Sequence, residues 1–124
     1  MKVLIVEDFL PMLEVWRLEI RLDTPLVESM FAVSLKEALD LYEENKDLIK
    51  LVAFDGELLG GEMTFELIKL IRQEMGETFP MIAMSGDEET LNQQVEYGCN
   101  YKIECKSELS QLIKQILIKE DEIS

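Results

Sequence analysis

Short apolar runs alternate along the chain with longer segments whose apolar residues recur at helical spacing. Residues 3–6 (VLIV) form the first run, and residues 11–22 (PMLEVWRLEIRL) follow, with Pro11 suited to a first helical turn. Residues 26–31 (LVESMF) read as a second strand. SLKEALDLYEE comes next, where Ser34 and Glu37 have the S-x-x-E spacing that caps a helix start. Residues 51–54 (LVAF) give a third strand, and beyond a glycine loop MTFELIKLIRQEM carries Phe65, Leu67, Ile68 and Ile71 in helical spacing. MIAM at 81–84, behind Pro80, makes a fourth strand, and DEETLNQQVEYG reads as a helix closed by Gly98. A fifth unit begins near Tyr101 with a weak, polar strand (YKIEC). Ser107 then opens an amphipathic helix with Leu109, Leu112, Ile113, Ile116 and Leu117 on its apolar face.

Five strand-then-helix units predict an α/β fold: a doubly wound, five-stranded parallel sheet with helices on both faces, because parallel neighbours need right-handed crossovers. Open sheets of this kind bind ligands at the carboxyl ends of their strands. That rule turns sequence positions into spatial neighbours. Glu7 and Asp8 end the first strand, Asp55 the third, Ser85 the fourth.

Length and composition narrow the class. The 124 residues, 48% of them hydrophobic, predict a single domain over 1–124, with KEDEIS at 119–124 as a frayed polar tail. Acidic residues outnumber basic ones 26 to 12, a net charge of -14, which argues against nucleic acid or an anionic membrane as the main partner. Cations and basic protein patches fit better. There is no histidine, and Cys99 and Cys105 stand six apart, so zinc sites, disulfide frameworks and histidine-based catalysis lose support. The opening MKVLIVEDF is too short in its apolar run for a secretory leader, and no stretch is long enough to span a bilayer. A reducing cytoplasm is the expected setting.

If the first and third strands are neighbours, Glu7, Asp8 and Asp55 converge. Like charges that close raise one another's proton affinity unless a cation sits among them, and a hard, oxygen-preferring, partly hydrated ion, Mg2+, resolves the conflict. A carboxylate can also attack phosphorus, with the metal offsetting charge on the phosphoryl oxygens. A hydroxyl at Ser85 and a lysine at the end of the fifth strand would hold the remaining oxygens, making a site for an aspartyl phosphate. Each residue alone has a plainer reading: Glu7 and Asp8 as a solvated loop, Asp55 as a turn cap, Ser85 with Gly86 and Asp87 as a helix cap. The constellation is what favours chemistry. Gly60 and Gly61 read as turn glycines, since the GK[ST] ending of a phosphate loop is absent. Trp16 and the methionines read as packing residues. Phe9 and Leu10, on the loop that would rim the pocket, either contact a partner or staple down onto the first helix.

IVED near the start, FDGELLGG, MIAMSG and the later glycine-then-lysine segment together resemble a bacterial response regulator receiver domain, over essentially the whole chain. The resemblance implies the flavodoxin-like receiver topology, with Asp55 as phosphoacceptor and Glu7 and Asp8 as the acidic pair that holds Mg2+. It also implies that Glu57 lends a backbone carbonyl to the metal and that Ser85 is the switch hydroxyl. Counted from Gly98, the family's lysine slot falls on Cys105 with Lys106 next to it. A one-residue shift or bulge brings Lys106 into the pocket, and Lys106 is favoured because a phosphoryl dianion needs a cationic partner. The family's fifth-strand aromatic falls on Lys102 or Ile103, with Tyr101 nearby; Leu59 and Met63 stand where a proline and a glycine are common.

The expected function is therefore a stand-alone phosphorylation switch. It takes a phosphoryl group from a histidine kinase or histidine phosphotransfer protein, catalyses only its own phosphotransfer and dephosphorylation, and signals by changed affinity for a protein target, as receiver domains also do by dimerising on activation. The face of the fourth and fifth helices, or that of the first, is the expected exit. A pseudo-receiver that binds partners without phosphate is the alternative, supported by the irregular lysine and aromatic positions. A haloacid-dehalogenase-like phosphatase fits poorly, because FDGEL lacks the second aspartate and the threonine of D-x-D-G-T and lies on the third strand. A flavin binder would need a hydroxyl-rich loop where this chain has EDFLP.

Overall fold

The apolar runs become β1 (Lys2–Val6), β2 (Glu28–Ala32), β3 (Ile49–Phe54), β4 (Met81–Ala83) and β5 (Tyr101–Lys102), and each is followed by a helix: α1 (Leu10–Asp23), α2 (Leu35–Asn45), α3 (Phe65–Met75), α4 (Glu88–Tyr97) and α5 (Leu109–Ile123). The computed structural model describes the backbone of residues 1–123 and the side chains of residues 1–118; the polar tail expected at 119–124 lies outside the described side chains. All strand pairs are parallel, in the order β2-β1-β3-β4-β5. The sheet order reverses direction between β1 and β3, and ligand crevices form at such a point.

Alternation along the strands feeds two apolar layers. Leu4, Val6, Val52, Phe54, Met81 and Ala83 point to one side, where Ala38, Tyr42, Ile68, Ile71 and Leu91 of α2, α3 and α4 cover them. Val3, Ile5, Leu51, Ala53, Ile82 and Met84 point to the other, under Leu13, Trp16 and Ile20 of α1 and Leu109, Ile113 and Leu117 of α5. Both faces of the central strands are buried, which is why their sequences read as unbroken apolar runs. Among the described residues no helix is long and apolar enough to cross a membrane.

Polar contacts fix how the layers lie. The Ser110 hydroxyl donates to Asp23 Oδ2 at 2.7 Å and ties α5 to α1, and the Tyr42 hydroxyl donates to Glu74 Oε1 at 2.7 Å and ties α2 to α3. Ser34 caps α2 as its motif predicts, accepting from the Glu37 amide at 3.2 Å.

Several boundaries depart from expectation: β3 starts at Ile49 instead of residue 51 and β5 ends at Lys102 instead of residue 105, and two further shifts have a visible local cause. The second strand starts at Glu28 instead of residue 26, because Thr24 closes α1 on the Ile20 carbonyl (N–H 2.8 Å, hydroxyl 2.9 Å) and the Val27 amide then turns back onto Thr24 at 3.0 Å. Leu26 is left exposed on that turn. The last α-helix starts at Leu109, not Ser107, because Lys106–Glu108 forms a turn of 3-10 helix first.

Gly98 ends α4 at φ +146°, a conformation that L side chains rarely adopt. Its carbonyl accepts both Nε (3.0 Å) and Nη2 (2.6 Å) of Arg72, so α3 and α4 are locked at this point. A Cβ there would stand 3.1 Å from Arg72 Cβ and 3.4 Å from Ile68 Cγ2. Gly98→Ala is therefore expected to lower the unfolding free energy by about 1–3 kcal/mol with an unchanged denaturant slope, measured by urea titration.

Candidate functional site

Register brings the acidic residues together. Val6 pairs with Phe54, the Glu7 amide donates to the Ala32 carbonyl at 2.9 Å, and the Asp55 amide donates to the Val6 carbonyl at 2.8 Å. The residues that continue β1 and β3 thus emerge side by side. Carboxylate oxygens of Glu7, Asp8 and Asp55 all lie within 4.8 Å of one another. Glu7 is buried, while Asp8 and Asp55 are partly open to solvent.

The cation that meets them in the chain itself is Lys106. Its Nζ pairs with Glu7 Oε1 and lies 3.7 Å from Asp55 Oδ2. Of the two residues that could fill the lysine position, Lys106 is the one whose side chain enters the pocket; Cys105 is exposed, its Sγ 2.9 Å from the Ser107 hydroxyl. The accommodation is local. β5 ends after Lys102, the Ile103 amide still donates to the Ala83 carbonyl at 3.0 Å, and the 3-10 turn then swings Lys106 inward. The buried Trp16 holds that turn, its indole N–H donating to the Lys106 carbonyl at 3.0 Å. Trp16 is thus a packing residue, as its sequence context indicates, but a buried indole N–H needs an acceptor and here finds it beside the site.

Asp55 is held from behind. Its Oδ1 accepts the Gly56 amide at 2.9 Å, and the buried Thr64 hydroxyl donates to the Asp55 carbonyl at 2.7 Å. A Cβ on Gly56 would stand 2.3 Å from Thr90 Cγ2 and 3.1 Å from Ser85 Oγ, so only glycine fits between Asp55 and the end of β4. Ser85 Oγ therefore borders the site; it accepts the Asp87 amide at 3.2 Å. Gln94, fully buried on α4, bridges two strand ends: its Nε2 donates to the Phe54 carbonyl at 2.9 Å and its Oε1 accepts the Ser85 amide at 3.3 Å. The side chain of Glu57 is exposed and is not part of the carboxylate cluster; its backbone pairs with Met63 in an isolated bridge.

Sequence reading singled out Glu7, Asp8, Asp55, Ser85 and Lys106, and these five gather at one edge of the sheet. It passed over Thr64 and Gln94. Gln94 follows Leu91 by three residues, so a polar residue stands at a core position of a periodic helix, which was the available signal. The position three residues before Lys106 is Ile103, which is buried, and Tyr101 is exposed on β5. Phe9, at the N-cap of α1, and Leu10, its first residue, are exposed.

Burial raises the proton affinity of Glu7, the neighbouring Asp55 carboxylate raises it further, and Lys106 opposes both. The donor set fits a hard divalent cation: three carboxylates and no soft ligand, open to solvent on one side.

No family model matches the chain, and neither does any curated protein. Solved structures do. The signal receiver domain of a DNA binding response regulator protein from Colwellia psychrerythraea 34H is 20% identical with a TM-score of 0.78, over 94% of this chain and 97% of that one. A response regulator receiver domain protein from Clostridium thermocellum is 18% identical with a TM-score of 0.78, over 99% and 98%. A candidate response regulator from Chloroflexus aurantiacus is 28% identical with a TM-score of 0.75, over 94% and 97%. The chain has the receiver fold across nearly its whole length and resembles response regulator receiver domains.

Two outcomes follow from the pocket. Because folded Glu7 holds its proton more tightly than the unfolded chain does, its contribution to stability is complete below its ordinary pKa of 4.5 and is lost as pH rises through the raised folded value. In chelator, wild-type stability should therefore fall over a pH range beginning near 4.5, and Glu7→Gln should remove that component; superimposable urea profiles for the two proteins would contradict the assignment. The cysteines should also differ. Burial pushes the Cys99 thiol up to about 12, whereas the Ser107 contacts lower that of exposed Cys105, so iodoacetamide should label Cys105 in the native protein and Cys99 only after denaturation, read by peptide mass.

Proposed function

We propose that this chain is a phosphorylation-dependent signalling switch of two-component systems, with Asp55 accepting a phosphoryl group from a phosphohistidine. The observation that carries the reading is Asp55 flanked by Glu7, Asp8 and the Lys106 ammonium at the carboxyl edge of the sheet. The Gly56 amide engages Asp55 Oδ1, which leaves Oδ2, on the Lys106 side, as the attacking oxygen. In the transfer, the bond between phosphorus and the donor imidazole breaks as the bond to Oδ2 forms, and the imidazole nitrogen keeps the electron pair. Lys106 moves from its pairing with Glu7 to a phosphoryl oxygen, a charge-assisted contact. The Ser85 hydroxyl, beside Gly56, donates to a second oxygen. Glu7, Asp8, Asp55 and the backbone carbonyl of Glu57 would hold Mg2+, which supplies positive charge against the phosphoryl oxygens. Hydrolysis of the acyl phosphate resets the site, so the catalysis is confined to the chain's own phosphorylation and dephosphorylation.

The donor is a sensor histidine kinase or histidine phosphotransfer protein, the receiver of the signal is a protein target, and the setting is the cytoplasm. The reducing environment suits free Cys99 and Cys105. Thr90 packs on Gly56 and Gln94 bonds the Ser85 amide, which ties α4 to both sides of the reacting group and supports it as the exit route. A second reading, a binding module that no longer responds to phosphate, is favoured by one observation, Ile103 in place of an aromatic on the segment after β5.

Intact-mass spectrometry after incubation with acetyl phosphate separates them. The switch predicts a gain of one phosphoryl group that requires Mg2+ and disappears in Asp55→Asn, while Lys106→Ala labels about ten-fold more slowly or worse, the worth of one charge-assisted hydrogen bond. No gain from folded wild type with Mg2+ present would leave the binding-module reading.

A further inference from the structure

Helix α1 is apolar on two opposite sides. Leu13, Trp16 and Ile20 face the core. On the other side Pro11, Val15, Leu18 and Leu22 follow one another at spacings of four, three and four, which at 100° per residue makes a single stripe directly opposite the buried one. Val15, Leu18 and Leu22 are 44%, 61% and 80% exposed. A helix lying on a sheet needs only one apolar face, and a four-three-four repeat on the second is the spacing of a coiled-coil seam. Exposed apolar residues such as Leu39 on α2 and Val95 on α4 stand singly and need no covering.

We infer that this face of α1 is an interface for a second copy of the chain, packed antiparallel about a two-fold axis that passes between Val15 and Leu18. The choice of occupant rests on the flanks of the stripe. Glu14 and Arg21 lie on the same side of it, seven residues apart, with their midpoint within one residue of the midpoint of the stripe. In an antiparallel pair, equivalent flanks meet, so Glu14 of each copy faces Arg21 of the other, and one surface supplies two reciprocal ion pairs. A parallel pair would instead set Glu14 against the flank that carries Glu19 and Asp23. The same operation brings Val15 opposite Leu18 and Pro11 opposite Leu22, and leaves Glu14 and Arg21 offset by two residues, about 3 Å along the axis, which a long arginine side chain spans. Within one chain Arg17 already pairs with Glu14 at 3.3 Å, but both are exposed and the pair holds Glu14 weakly. The charge of this surface is also milder than the average: α1 carries two arginines against three acids, while the whole chain has 12 basic against 26 acidic residues, so two copies repel less here than the net charge of -14 implies. The interface does not involve Asp55.

The test is sedimentation velocity over a wide concentration series, with circular dichroism melts as the control for folding. The wild type and Asp55→Asn are both expected to show a concentration-dependent monomer–dimer equilibrium. Leu18→Glu, at an exposed position, should keep the melt and raise the dissociation constant about ten-fold or more. Glu14→Arg and Arg21→Glu should each weaken the dimer, and the double swap Glu14→Arg with Arg21→Glu should restore it, because reciprocal pairs survive exchange. A monomer at every concentration overturns the inference. A dimer unaffected by Leu18→Glu overturns it as well, and so does a double swap that fails to restore a dimer weakened by both single changes.

Discussion

Like-charge crowding at the ends of β1 and β3 is the constraint around which the rest of this molecule is arranged. Parallel pairing of the two strands places Glu7, Asp8 and Asp55 with oxygens within 4.8 Å of one another, one of them buried. Burying a carboxylate among carboxylates is costly, and the fold meets the cost with one ammonium group, Lys106, delivered from the far end of the sheet. One positive charge against three negative ones cannot balance them. The imbalance is itself the chemical character of the site: an unsatisfied demand for positive charge at the place where a divalent cation and an electrophilic phosphorus would arrive.

Everything near the pocket keeps that arrangement from relaxing. Thr64 and Gly56 grip Asp55 through its own carbonyl and carboxylate, Trp16 grips the backbone of Lys106, and Gln94 fastens the carbonyl before Asp55 to the amide of Ser85. Thr64 and Gln94 each tie a helix or its cap to a strand end, Trp16 ties α1 to the turn after β5, and all three side chains are buried. In a low-dielectric setting such bonds are stiff, and leaving any partner unsatisfied is expensive. Rigidity here serves position: carboxylates that repel one another stay within range because neutral hydrogen bonds hold their backbone in place.

The fold was legible in the chain because its physics is periodic. Apolar runs fully buried on both faces, helices with one apolar stripe, Ser34 as a cap and Gly98 as a stop are local signals, and the structure keeps all of them. The start of β2 was not legible, because Val27 is apolar enough for a strand while the hydrogen bonds that turn it back on Thr24 depend on a tertiary direction. The site was legible to the extent that strand ends meet. Between Cys105 and Lys106, spacing alone pointed to the cysteine; the turn after β5 that brings in the lysine is stabilised by Trp16, ninety residues away in sequence, and no local pattern encodes that contact. Gln94 was missed because a single polar residue at a core position of a helix carries no sign of the partners it finds, here the Phe54 carbonyl and the Ser85 amide.

The segment after β5 also changes how a signal could leave the site. Ile103 is buried and aliphatic, and Tyr101 is exposed two residues earlier, so no aromatic ring on this segment stands ready to move when Ser85 moves. The links that remain run to α4. The Ser85 amide is bonded to Gln94 at 3.3 Å, longer than the 2.9 Å bond that the same amide side chain makes to Phe54. Under the proposed function, a shift of Ser85 toward a group on Asp55 would strain the longer of the two bonds first, while Thr90, packed on Gly56, would feel any displacement of the backbone beside Asp55. Both disturbances fall on one helix whose start is capped by Asp87, two residues from Ser85, so α4 is coupled to the site at its cap, its first turn and its middle. Under the proposed function, α4 is therefore the element whose position would report the state of Asp55.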